Sequence, residues 1–321
     1  MIRPKHSPRR LRSVEPEHGF DEVVHMAETR TERMGREDLL RGLPLEHRRL
    51  MVDGVATSFL ETGAGPPMIL LHGGIECGGV YWALVISRLA PTHRLLIPDL
   101  PGLGESDPFD RLDSRVFDGW FRSLMALVGV DRPTLLAHSL VASLATRFAT
   151  RHPGLLGRLV VYAGPAIGAY RLPAGLRLAA VRFSVRPTER NAERFDRWAL
   201  HDLDRFRRDC PDWYTAFNTY CRSRSQVPHV KRTMKELLRE GTKRIPNDQL
   251  DRISCPTALL WGRYDRMVPL SLAEAASNRQ GWPLFVIDGA GHVPHMEQPE
   301  AFTRVLAEIE SSPRDHHRET S

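Results

Sequence analysis

Ser139, Asp265 and His292 are the three residues whose types could together perform chemistry that none performs alone. A serine hydroxyl is a poor nucleophile at neutral pH. An imidazole can take its proton and later return it to a leaving group, while a carboxylate fixes the imidazole tautomer and stabilises its charged form. Such a set attacks acyl carbon and passes through an ester on the serine. Each member also has an ordinary structural reading: Ser139 as a helix cap, Asp265 as the cap of the turn after it, His292 as a loop histidine like His295. What distinguishes the three is where they fall relative to the elements that must carry them.

The stretch Pro133–His152 begins with a short apolar run, Thr134–Ala137, and continues without a loop into apolar positions at Leu140, Val141, Leu144, Ala145, Phe148 and Ala149. That spacing predicts a strand turning straight into a helix at Ser139. The turn projects the serine from the top of a sheet and sets the next backbone N–H at a helix N-terminus, where negative charge is stabilised. Ala137 and Val141 occupy the two positions where a G-x-S-x-G elbow has glycine, so the branched Val141 must find room of its own. Thr257–Trp261 and Leu284–Ile287 read as the last two strands, and Asp265 and His292 follow them. Met68–Leu71, another short buried strand, ends in His72-Gly73-Gly74. Open α/β sheets place their sites at such carboxyl ends.

The remaining pattern supplies the rest of the sheet. Arg48–Val52 and Val55–Leu60 flank the hairpin signal Asp53-Gly54. Tyr81–Leu89 reads as a helix, Arg94–Ile97 as a strand, Asp99 to Asp107 as a glycine-rich loop, Phe117–Leu127 as a helix and Arg158–Tyr162 as a strand. Strands alternating with helices predict an α/β fold, a mostly parallel sheet flanked by helices, with residues 45–164 and 253–310 as its core. Residues 165–252 show no strand and read as an inserted all-helical lid. Within it, one helix capped by Thr188 carries Ala192, Phe195, Ala199, Leu203 and Phe206 on one face, and Val230–Arg239 makes another. Residues 1–44 read as a mobile basic leader, with a packed helix over Asp21–Leu40 as the alternative; residues 311–321 are a polar tail.

Composition narrows the partners. The net charge is +6, but residues 165–252 alone carry 19 Lys and Arg against 11 Asp and Glu, interleaved at helical spacing as in Glu193 and Arg197. That is a solvated face and not a phosphate track, so no nucleic acid is expected. The four cysteines form no C-x-x-C and no Cys/His cluster, so reduced thiols and no metal are expected. No apolar run approaches a membrane span and no signal segment is present, from which a cytoplasmic location is expected. Oligomeric state stays open.

The motifs L-L-H-G-G at 70–74, D-L-P-G-L-G-E-S-D at 99–107, A-H-S-L-V at 137–141, L-L-W-G-R-Y-D-R-M-V-P at 259–269 and G-A-G-H-V-P-H-M-E-Q-P at 289–299 resemble those of the α/β-hydrolase fold family, in its serine-nucleophile branch with a helical lid. The chain order serine, acid, histidine is that family's order. The resemblance implies Ser139 as nucleophile, Asp265 as acid, His292 as base and the N–H groups of Gly74 and Leu140 as the oxyanion hole, with no cofactor. Relatives that carry the acid one strand earlier are not matched, because Ala163-Gly164-Pro165 stands there. Glu297 and the glycine-rich loop read as structural.

A serine nucleophile excludes the alkyl-ester chemistry by which aspartate relatives open halides and epoxides. An ester, thioester or lactone with an apolar portion is the expected small-molecule substrate. W-G-R-x-D-R and the lid also resemble the carbon–carbon hydrolases of aromatic-ring degradation, although Val293 stands where those enzymes carry tryptophan. A cofactor-free perhydrolase would use the same triad. Proline iminopeptidases share the H-G-G motif, without identifiable lid acids here. A non-catalytic ligand-binding homologue is the reading from another class. The lid aromatics Tyr170, Phe183, Phe195, Trp198, Phe206, Trp213, Tyr214, Phe217 and Tyr220 are divided between packing and pocket, and Arg171, Arg177 or Arg182 are candidates to meet an anionic substrate.

Overall fold

The computed structural model describes residues 35–312. Eight strands form one sheet in the order β1-β2-β4-β3-β5-β6-β7-β8, with β1 (Glu46–Val52), β2 (Val55–Thr62), β3 (Pro67–Leu71), β4 (Arg94–Pro98), β5 (Thr134–His138), β6 (Arg158–Tyr162), β7 (Thr257–Gly262) and β8 (Leu284–Ile287). The β1–β2 and β2–β4 pairs are antiparallel and the others parallel. Asp53 and Gly54 join β1 to β2 with φ of 50° and 79°, the left-handed pair that a two-residue hairpin turn requires. Strands β3 to β7 are nearly continuous apolar runs, as burial on both faces demands.

Helices α1 (Ala83–Leu89), α2 (Ser114–Leu127) and α3 (Ser139–Arg151) follow β3, β4 and β5, and α10 (Leu270–Gln280) and α12 (Pro299–Ser311) flank the last two strands. The sequence placed the start of the first of these at Tyr81, but the chain there is a 3-10 turn, Gly78–Trp82, ahead of α1. The second begins three residues earlier than its apolar pattern, because Asp113 caps it by accepting from the Arg115 and Val116 N–H groups. Between β6 and β7 lie only helices: α4 (Ala174–Val185), α5 (Glu189–Ala199), α6 (Leu203–Asp209), α7 (Pro211–Arg224), α8 (Pro228–Gly241) and α9 (Asn247–Leu250), with a 3-10 turn at Pro165–Ile167. A short α11 (Pro294–Glu297) precedes α12.

Two sequence expectations change. The helix capped by Thr188 ends at Ala199 and restarts at Leu203, with Leu200 extended and Asp202 capping α6 through the Arg205 N–H. The apolar spacing runs across the break because both pieces bury one side; the helix is interrupted where the Ala199 carbonyl and the His201 and Asp202 N–H groups bond to the segment after β8. Of the expected leader, residues 1–34 and most of the Asp21–Leu40 alternative lie outside the described residues. Residues 35–40, however, are helical and pack on the body, with Leu39 buried.

Arg36 explains that packing. Its buried guanidinium lies 3.2 Å from the Asp99 carboxylate and donates to Ser58 Oγ at 3.2 Å and to Tyr220 Oη at 3.5 Å. Asp99 also accepts from the Gly79 and Glu105 N–H groups, while the neighbouring His72 accepts at Nε2 from the Leu100 N–H at 2.9 Å. Burial pushes the Asp99 carboxyl up, but Arg36 and these N–H groups overcome it and hold it below the usual carboxylate range. One cation thus ties the chain before β1 to β2, to the glycine-rich loop and to α7. Arg36→Ala is expected to lower the unfolding free energy by about 3–5 kcal/mol, the range for stripping one partner from a buried ion pair; urea unfolding followed by tryptophan fluorescence measures it.

Candidate active site

The sheet reverses its order of addition between β3 and β5, and both Gly74 and Ser139 stand at the carboxyl ends of those two neighbours. This is the switch point where open α/β sheets have a crevice. Ser139 has φ of 54°, a left-handed conformation that L-residues with side chains seldom adopt. The strain comes from joining β5 to α3 with no intervening residue, and it turns the half-buried hydroxyl away from the sheet. Leu140 falls in the first turn of α3, where backbone N–H groups have no intrahelical partner. The loop after β3 can approach because Gly73 has no side chain: a Cβ there would stand 2.5 Å from His138 Nδ1. Val141, the branched residue at the elbow, is wholly enclosed in the core.

His292 Nε2 lies 2.9 Å from Ser139 Oγ, and His292 Nδ1 lies 2.7 Å from Asp265 Oδ2. The other oxygen of Asp265 accepts from the Met267 and Val268 N–H groups at 2.8 Å each, so the carboxylate is fixed from behind. Asp265 and His292 are both buried. The structure therefore brings the three sequence candidates into one hydrogen-bonded line. Such a line can move a proton from hydroxyl to imidazole while the carboxylate steadies the cation that forms.

Two supports for His292 were not legible as such in the sequence. The first is a buried cluster behind its ring. His138 Nε2 donates to the His292 carbonyl at 2.9 Å, and the Tyr81 hydroxyl donates to His138 Nδ1 at 3.0 Å. His295 Nε2 donates to the Tyr81 carbonyl at 3.2 Å, and the Tyr162 hydroxyl donates to His295 Nδ1 at 2.9 Å. In these tautomers, assigned from the network, every ring nitrogen is satisfied in the neutral form. Burial first, then the neighbouring histidines, holds His138 well below the ordinary histidine range; burial chiefly pushes His295 down to about 3. The second support is the break between α5 and α6. The His292 N–H donates to the Ala199 carbonyl at 2.7 Å, and Glu297 accepts from His201 at 2.6 Å, Asp202 at 3.2 Å and Gly291 at 2.6 Å. A Cβ on Gly291 would stand 2.6 Å from the Ala199 oxygen, so only glycine admits this crossing. Burial pushes the Glu297 carboxyl up to about 7 against these bonds.

A cavity of about 470 Å³ opens over Ser139 and His292. Its floor includes Gly74 and Leu140, and its apolar wall includes Tyr170, Leu176, Phe183 and Phe195. The other aromatics of the helical insert pack elsewhere: Phe206, Trp213, Tyr214 and Phe217 against one another, Tyr220 in the core, and Trp198 against α4, where a Cβ on Gly175 would come within 2.5 Å of its ring. Of the three candidate arginines only Arg177 lines this cavity; Arg171 lines a separate cleft with Arg244 and Arg279, and Arg182 lines neither.

A family model described as "Alpha/beta hydrolase family" matches residues 68–305. The chain belongs to that family. An uncharacterized protein of Mycobacterium tuberculosis is 28% identical over 281 residues, covering 79% of this chain and 78% of that one. A 2-hydroxy-6-oxononadienedioate/2-hydroxy-6-oxononatrienedioate hydrolase of Cupriavidus pinatubonensis is 25% identical over 267 residues, 78% of this chain and 88% of its own. Among solved structures, the carboxylesterase CesB (YbfK) of Bacillus subtilis superposes with a TM-score of 0.77 at 21% identity, over 90% of this chain and 99% of that one, a likeness of fold.

His295 carries a pH consequence. An unfolded histidine binds its proton near pH 6.5, whereas the buried ring stays neutral to about 3. Between these values the unfolded state holds the extra proton, so stability is full above about pH 6.5 and falls as pH drops toward 3. Urea midpoints taken across that window are expected to decline steadily, and less steeply in His295→Gln.

Proposed function

We propose that this α/β-hydrolase cleaves a carboxylic ester, thioester or lactone through an acyl-enzyme on Ser139. The observation that carries the reading is the continuous relay Ser139 Oγ–His292 Nε2 at 2.9 Å and His292 Nδ1–Asp265 Oδ2 at 2.7 Å, at the floor of a cavity large enough for a small substrate. His292 takes the serine proton as the oxygen attacks the acyl carbon, then gives it to the departing alcohol or thiol. Water attacks the acyl-enzyme by the same route in reverse. The N–H groups of Gly74 and Leu140 receive the developing oxyanion, a contribution whose loss typically costs ~10² to 10³ in rate.

The helices between β6 and β7 serve as the lid. Tyr170, Leu176, Phe183 and Phe195 favour an apolar acyl or alcohol group, which suits a neutral ester. Carbon–carbon bond hydrolysis is the second reading, favoured by the relative from Cupriavidus pinatubonensis, whose named dienedioate substrate bears two carboxylates. Against it, the cavity wall is mostly apolar and its cations sit on exposed positions.

Short p-nitrophenyl esters are expected to be turned over, with Ser139→Ala or His292→Ala lowering the rate by on the order of 10⁴ to 10⁶. Fluorophosphonate labelling of the wild type, absent in Ser139→Ala, checks the covalent step. Retained labelling in that variant, or faster turnover of vinylogous diketones than of esters, would displace this assignment.

A further inference from the structure

Helix α4 is apolar on two sides. Leu176, Ala179 and Phe183 face inward and are buried, while Leu178, Val181 and Val185 form a second stripe on the outer side, 49%, 54% and 70% exposed. A helix covering a soluble core needs only one apolar face. Across the cavity mouth, α8 presents Lys231, Lys235 and the 38% exposed Leu238 at helical spacing. Val181 and Leu238 line the cavity itself, so the outer apolar stripe is continuous with the route to Ser139.

Of the charged residues lining the cavity the exposed ones are all basic, while Glu76 is a less accessible carboxylate that burial pushes up to about 7. Arg177 and Arg182 flank the α4 stripe, and Lys231 and Lys235 stand opposite. Elsewhere in the insert, Arg197 is engaged by Glu193 and Asp204. Among the described residues no carboxylate lies within ion-pair distance of the four rim cations.

We propose that this rim docks the protein on an anionic lipid bilayer surface, with the α4 stripe entering the headgroup region and the four cations meeting lipid phosphates. Apolar area supplies the insertion and basic side chains supply the attraction to anionic lipid, the combination by which amphipathic helices lie in a bilayer interface. A second copy of this chain fits less well, because a two-fold contact through the same face sets the four cations against their equivalents. No helix among the described residues is long and apolar enough to cross a membrane, so the contact is peripheral. An acyl chain would pass from lipid to the cavity along Val181 and Leu238 without entering bulk water. The inference concerns docking and stands apart from the hydrolytic reading.

The test is co-sedimentation of the full chain with vesicles of phosphatidylcholine alone or enriched in phosphatidylglycerol. Binding is expected to the anionic vesicles, to weaken with added salt, and to fall by about 10-fold or more in Leu178→Asp with Val185→Asp, as loss of two buried apolar side chains implies. Both residues are exposed and neither lines the cavity, so turnover of a soluble short ester is expected to be unchanged. Equal vesicle binding by the double variant overturns the proposal, because attraction would then reside in other basic segments. So does absence of binding to anionic vesicles, or a wild-type dimer in sedimentation velocity that the double variant dissolves.

Discussion

The backbone at Ser139 is the constraint on which the rest depends. A non-glycine residue in the left-handed region costs about 1–3 kcal/mol and persists only where its surroundings leave no alternative. Here β5 is paired with β3 as far as Ala137 and with β6 as far as His138, and α3 begins with the serine itself. Closely approaching glycines then lock the neighbourhood. Gly73 admits the His138 ring, and Gly241 brings the end of α8 against Leu140, where a Cβ would stand 2.8 Å from the Leu140 Cβ. Relaxing the turn would drive side chains into these contacts, so packing holds the strain in place.

The imidazole is held by different means. Its backbone is bonded on two sides, by His138 through the carbonyl and by Ala199 through the N–H. One contact comes from the sheet and the other from the helical insert. The His138 contact belongs to a cluster in which two histidines and two tyrosines satisfy one another without net charge, so a polar group buried behind the relay brings no competing cation. Asp265 remains the neighbouring carboxylate that His292 engages directly.

The sheet, the order of its strands' carboxyl-end motifs and the three relay residues were legible because each rests on local pattern: short apolar runs, a hairpin dipeptide, and polar residues just beyond strand ends. What was not legible depends on contacts between distant segments. Thr188 to Phe206 has the spacing of one helix, and nothing local marks Leu200–Asp202 as the place where Glu297 captures two backbone N–H groups. Arg36 sits in a polar stretch whose composition suggests solvent; only Asp99, Ser58 and Tyr220, each remote in sequence, make it an interior residue. His138 was visible merely as the serine's neighbour, since its partners come from β3's following turn and from the loop after β8.

The crossing at Ala199 has a consequence for how such enzymes can be recombined. Because the insert's backbone holds the His292 N–H, the helices over the cavity are no interchangeable cover. Exchanging them for a relative's would import a foreign anchor for His292 along with a new pocket wall. Grafts cut at 165 and 252 therefore split a structural couple, whereas carrying the loop 288–298 with the donor helices keeps anchor and imidazole in register.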